Sequence, residues 1–194
     1  HSAANQQATL QLQASRSWLR AGRGGEAARV VTAISAPLTP LQIIEKRLIE
    51  ADITLASGQP QLAWQKVSAI AEPTGTPLAP QYLDSRMRIA LAAARPLEGI
   101  RSEMAAERLL STAAERTRLR HELLAQLRSA REHGVKLEPE ASQDATVRGW
   151  LELGGDRHYL AEGSQDPPHG VGRTHPHGGL AVERTALALG ARRG

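Results

Sequence analysis

Apolar residues recur along the chain at intervals of three and four. Leu41, Ile44, Leu48, Ala51 and Leu55 form one such stripe, and Leu83, Met87, Ala90, Leu91 and Ala94 form a second. Leu119, Leu123, Leu124, Leu127 and Ala130 form a third. This spacing places each set on one face of a 3.6-residue helix. Arg, Glu and Gln fill the other faces, as in a helix that packs on one side only. Gly and Pro punctuate the stripes at Gly22, Pro37, Pro40, Gly58, Pro60, Pro73, Pro96 and Gly134. Thr39 before Pro40 suits a helix start, because Thr can accept from the free amides of the first turn and Pro has none to lose. Gly22, Gly58 and Gly134 each follow a stripe, where a left-handed residue closes a helix. The pattern predicts helices over 4–21, 25–35, 40–57, 60–71, 79–94, 97–113, 115–133 and 142–153, with ends good to about 2–4 residues.

A repeat underlies this pattern. A shift of 36 residues superposes Leu19 on Leu55, Gly22 on Gly58, Ala27 on Ala63, Val31 on Val67, Ile34 on Ile70 and Pro37 on Pro73. A fainter third copy sets Leu91, Ala94 and Pro96 on Leu55, Gly58 and Pro60. In physical terms, a long helix ends at Gly and a shorter one begins whose Ala sits where two backbones come close. Val and Ile then fill the groove, and Pro stops the pair. Gly followed by Ala five positions later, with a period near 34, resembles the tetratricopeptide (TPR) pattern.

Composition reinforces the all-α reading. The 194 residues include no Phe, two Tyr and three Trp, so the apolar content is mainly Ala, Leu, Ile and Val. The expected architecture is TPR-like antiparallel helical hairpins stacked as a short superhelix over residues 1–154. From Gly154-Gly155 onward the text turns rich in Gly, Pro, His and Arg, and only Leu180–Leu189 retains a short stripe. Residues 155–194 are expected to form a disordered tail, since such composition buries too little apolar surface to offset the entropy of ordering.

Charge and motifs exclude more than they assign. The net charge of +4 comes from Arg and Lys interspersed with Asp and Glu, with Lys only at Lys46, Lys66 and Lys136. Nucleic-acid binding would need one-sided clustering, and none is expected. With no Cys, disulfides and thiolate metal sites are ruled out. No apolar run approaches the ~18 residues of a membrane span. The chain opens on His1-Ser2-Ala3 rather than Met, which reads as a mature or trimmed fragment and leaves room for a removed signal or lipid anchor that these residues do not themselves show. There is no G-x-S-x-G elbow, phosphate loop, H-E-x-x-H or dinucleotide fingerprint. Gly22-Arg23-Gly24-Gly25 fits a hairpin turn better than an anion cradle, because no strand precedes it.

His169, His175 and His177 have the imidazoles for a metal but no scaffold to hold them. His121 and His133 lie more than three turns apart on one helix, too far to share an ion. Trp18, Trp64 and Trp150 fall on apolar faces, where core packing is the simpler role. No catalytic, cofactor or metal residue is singled out, no cofactor is expected, and the chain is not expected to be an enzyme.

Three segments carry a family resemblance. Trp18-Leu19-Arg20-Ala21-Gly22 with Glu26-Ala27 resembles a first helical hairpin. Glu45-Lys46-Arg47-Leu48-Ile49-Glu50-Ala51 with Leu55-Ala56-Ser57-Gly58 resembles a second. Arg148-Gly149-Trp150-Leu151-Glu152-Leu153 resembles the Gly-Trp-Leu stretch near the end of the domain. Over about residues 4–154 the chain is similar to the N-terminal TPR-like domain of the penicillin-binding protein activator LpoA family. The resemblance implies a lipoprotein anchored to the outer membrane and projecting into the periplasm. It further implies non-catalytic regulation or scaffolding of peptidoglycan synthesis, with a class A penicillin-binding protein or other cell-wall proteins as partners and peptidoglycan itself a further candidate. Contact with the membrane would then run only through a lipid anchor. In that family further helix and a large domain like a periplasmic binding protein follow, and the tail here matches neither, as expected of a truncated or frame-shifted gene end. The synthase contact is attributed to that large domain, which favours a scaffold or spacer role for this region. A generic TPR-like protein-interaction adaptor is the alternative.

Overall fold

In a computed structural model of the chain, the described residues are 3–155. They form α1 (Ala3–Arg20), α2 (Gly24–Thr32), α3 (Pro40–Ala56), α4 (Pro60–Ser68), α5 (Ala79–Ala92), α6 (Pro96–Glu107), α7 (Ala113–Glu132), a 3-10 turn (Pro139–Ala141) and α8 (Ala145–Gly155). Apart from Gly155, which closes α8, the expected tail with its three His residues and its short stripe lies outside the described residues.

The helices pair as α1–α2, α3–α4, α5–α6 and α7–α8. The first helix of each pair packs on the first helix of the next, α1 on α3, α3 on α5 and α5 on α7. Among the described residues no helix touches one beyond the adjoining hairpin, which is the mark of a solenoid. Three apolar clusters follow this order. Ala8, Leu12, Val31, Ile34 and Ile49 join the first hairpin to α3. Leu48, Ala63, Val67, Leu83 and Ile89 join the second to the third. Met87, Leu91, Ile100, Leu127 and Trp150 join the third to the fourth. Fully burying one such side chain contributes roughly 1.5–3 kcal/mol.

The hairpin turns share one backbone design. Gly22 and Gly58 adopt φ of 72° and 78°. The amide of each donates to the carbonyl three residues back, and the next amide donates five back: Gly22 to Leu19 and Arg23 to Trp18, Gly58 to Leu55 and Gln59 to Thr54. This is the paired closure of a Schellman motif, which satisfies carbonyls the helix leaves open. Gly134 repeats it after α7.

The third copy repeats it as well, with Ala94 at φ 57° and the same two bonds, Ala94 to Leu91 and Arg95 to Ala90. A Cβ in this region costs about 1–2 kcal/mol. Substituting Ala94→Gly removes that strain, while the freer unfolded chain takes back roughly 0.4–1 kcal/mol. A net gain of about 0.5–1 kcal/mol is expected, and calorimetry should show the melting temperature rising by about 2–3 °C. A fall in melting temperature would contradict it.

Two second helices end earlier than the stripes suggest, α2 at Thr32 and α4 at Ser68. The reason is steric. A proline ring clashes with the carbonyl four residues back in a helix, so Pro37 and Pro73 force the chain out of helix around Ala33 and Ala69, the observed C-caps. α6 also stops short, at Glu107. The next helix begins early because Thr112 caps it, accepting from the Glu115 amide at 3.2 Å while its own amide donates to Glu115 Oε2 at 3.2 Å. α8 starts at Ala145, where Asp144 Oδ1 accepts from the amides of Thr146 (2.8 Å) and Val147 (3.1 Å). At α3 the Thr39–Pro40 start is as expected. Thr39 and Gln42 cap each other, and Gln42 Nε2 also donates to Asn5 Oδ1 at 2.6 Å, fixing α3 against α1.

Candidate functional site

The stacked first helices leave an open groove of about 410 Å³ across α1, α3 and α5. Leu19, Leu48, Ile49 and Leu55 give it an apolar lining. Its polar residues keep the period of the fold, since Arg16, Asp52 and Arg88 lie 36 residues apart, one on each helix.

These charges are held in place. Arg16 Nη2 pairs with Glu45 Oε1 at 2.7 Å, bridging α1 and α3. Arg88 Nη2 pairs with Asp52 Oδ1 at 3.1 Å, bridging α5 and α3, and its Nε reaches Asp84 Oδ2 at 3.1 Å. Ser85 Oγ donates to Asp52 Oδ2 at 2.7 Å. Burial pushes the Asp52 carboxyl above its usual range, with Arg88 and Ser85 pulling the other way. Burial likewise pushes Glu45 up, against the pull of Arg16. Desolvation thus offsets much of the attraction, so these pairs add little net stability. What they do is fix guanidinium and carboxylate groups over an apolar floor.

Arg20 stands at the same groove, exposed and in no ion pair among the described residues. The arrangement suits an extended polypeptide segment, whose side chains would meet apolar and charged positions in turn. A second opening of about 630 Å³ lies between the third turn and the segment after α7, lined by Arg95, Leu97, Lys136 and Glu138. It lacks the repeated charge pattern.

The aromatic residues have structural neighbours. Trp150 is buried at 7% exposure in the last apolar cluster. Trp64 packs against the middle cluster, with Arg86 and Arg95 each 5.4 Å from its ring centroid. Half-buried Trp18 is covered by Arg23 at 4.6 Å. At Trp18 and Trp64 the chain's own arginines thus supply the cation–π partners a ligand would otherwise bring. His121 and His133 are both exposed, and His133 Nδ1 lies 2.7 Å from the Ser129 carbonyl at the end of α7. Among the described residues no group of three His, Asp or Glu is placed to hold a metal, and no helix is long and apolar enough to cross a membrane. Of Gly22-Arg23-Gly24-Gly25, Gly22 and Arg23 make the first hairpin turn and Gly24-Gly25 open α2. Sequence reasoning missed the Arg16–Asp52–Arg88 series, which the 36-residue shift finds once it is applied to charged positions.

A family model described as LppC putative lipoprotein matches residues 1–167. The chain belongs to the LppC putative lipoprotein family. Its fold matches that of the LpoA N-terminal domain from Haemophilus influenzae, with a TM-score of 0.63 and 21% identity, covering 84% of this chain and 73% of that one. Full-length LpoA from the same organism gives 0.61 and 22%, covering 80% of this chain and 29% of that one. A second crystal form of H. influenzae LpoA gives 0.61 and 22%, covering 78% and 28%. The chain therefore spans less than a third of full-length LpoA. No curated protein sequence matches it. The all-α hairpin architecture and the family read from the three sequence segments stand together with these likenesses.

Proposed function

We propose that this chain is the helical region of an envelope lipoprotein that supports peptidoglycan synthesis without catalysing a reaction, by docking a class A penicillin-binding protein or another cell-wall protein. Family membership supports the lipoprotein character, and the LpoA likeness of the fold supports the cell-wall setting. The observation that carries the docking role is the groove across α1, α3 and α5, with its charges fixed over an apolar floor. Stacked helical hairpins use their concave face to hold partner segments. In this reading the protein stands in the periplasm on the outer membrane, held by a lipid outside the sequence described.

Binding of the purified chain to class A penicillin-binding proteins, followed by calorimetry, tests the proposal. Reversing the unpaired groove charge with Arg20→Glu is expected to weaken binding about tenfold, as for a charge facing its complement across an interface. Circular dichroism of the variant should stay unchanged. If no such synthase binds, and other proteins are captured through the same groove, the general adaptor replaces this role.

A further inference from the structure

The register that sets Val31 on Val67 continues, 36 residues on, to Glu103. In α2 and α4 the Val side chains are enclosed, at 3% and 0% exposure. Glu103 in α6 is just as enclosed, at 3%. A carboxyl group therefore occupies the slot that an isopropyl group fills in the first two hairpins, and its Oε1 has no hydrogen-bond partner.

Every charge acting on Glu103 has its own sign: Asp84 from α5, Glu107 from α6 itself and Glu122 from α7. Three arginines of α5 and α7 are committed elsewhere, while Arg128 of α7 keeps buried Nε and Nη2 atoms without a partner and is not among the charges acting on Glu103. Arg86 binds Glu98 and Ser102, Arg88 binds Asp52 and Asp84, and Arg120 binds Glu107. A buried carboxylate with neither cation nor donor would be severely penalised, whereas the neutral acid fits the slot.

We propose that Glu103 is a proton-operated joint between the third and fourth hairpins. Protonated, it fills the Val slot as a neutral group and lets α6 pack against α5 and α7. Ionised, it places a fourth negative charge among Asp84, Glu107 and Glu122 and loosens that packing. Burial first, and then the three carboxylates, push its ionisation up to about 8. In the unfolded chain the same group ionises near 4.3. Between these values the folded state holds the extra proton, so stability falls as pH rises, by about tenfold in the folding equilibrium per unit, and levels off above the folded value. Asp84 also lines the groove and binds Arg88, so the joint adjoins the third charge of the groove series.

The test uses the full chain and its Glu103→Gln and Glu103→Val variants. Carbon-13 detection of the Glu103 carboxyl should give a midpoint near 8. Relative to Glu103→Gln, the unfolding constant of the wild type should rise about tenfold per unit between about pH 5 and pH 8. Amide exchange in α6 and the facing parts of α5 and α7 should accelerate over that range in the wild type alone. Glu103→Val, which restores the residue of the first two copies, should gain most at the alkaline end. A carboxyl midpoint near the ordinary value, or equal pH slopes in the wild type and Glu103→Gln, overturns the proposal. The wild-type titration decides the matter even if a variant fails to fold.

Discussion

Replacing Trp150 by Ala is expected to cost about 3–5 kcal/mol, the usual loss for a large aromatic deleted from a core. The indole lies at 7% exposure in the cluster of Met87, Leu91, Ile100, Leu123, Leu127, Val147 and Leu151, drawn from α5, α6, α7 and α8. Its removal leaves a cavity at the joint between the third and fourth hairpins rather than within one helix. Because each hairpin leans only on its neighbours, the damage should stay local. Urea unfolding followed by circular dichroism should then split into two steps, with amide exchange in α7 and α8 rising before that in α1–α4. A single cooperative transition shifted by less than about 1 kcal/mol would show that Trp150 is not the anchor of this end.

The second large effect is expected at Gly99, where substitution by Val should cost about 3 kcal/mol through overpacking. An ideal Cβ at Gly99 lies 2.8 Å from Leu91 Cδ2 and 2.9 Å from Leu91 Cγ, with the Met87 carbonyl oxygen at 3.5 Å. Leu91 is itself enclosed, at 3% exposure, so it has little room to retreat. Gly99 is the register mate of Ala27 and Ala63, which hold a Cβ at 0% exposure in the first two hairpins. The third pair of helices has closed further, onto a residue with no side chain. A drop in urea midpoint with little change in its slope is the expected reading. A variant as stable as the wild type would mean that α5 and α6 can separate freely.

Much of this fold is legible in the sequence because hairpin solenoids are built from local signals. The left-handed turns at Gly22 and Gly58, the Thr39 cap and the three stripes all lie within a few residues of what they control. The ends of α2 and α4 are less obvious, since the determinant is a proline four residues downstream of the break. Ala94 is harder still, because Ala carries none of the preference that marks Gly22 and Gly58, and only the 36-residue register puts it at the left-handed position.

The groove was the least visible feature. Arg16, Asp52 and Arg88 share a position yet alternate in sign, so a search for similar residues at equal spacing passes over them. Glu103 hides for the opposite reason: among Arg and Glu neighbours it looks like another solvated charge. Only its alignment with Val31 and Val67 places it indoors. In both cases the information lies in the period, and it appears when unlike residues are compared at one register.

The alternation of Arg16, Asp52 and Arg88 also bears on assembly during folding. Identical hairpins stack in any order, and a chain of near-copies risks docking the first on the third with the second looped out. Here that error would bring Arg16 against Arg88, two partly buried guanidinium groups, while the correct neighbours present opposite charges. Like charges forced together in this way disfavour the wrong pairing without adding much to the right one. Alternation of sign at one register position therefore disfavours skipping a hairpin more than it favours stacking the right one.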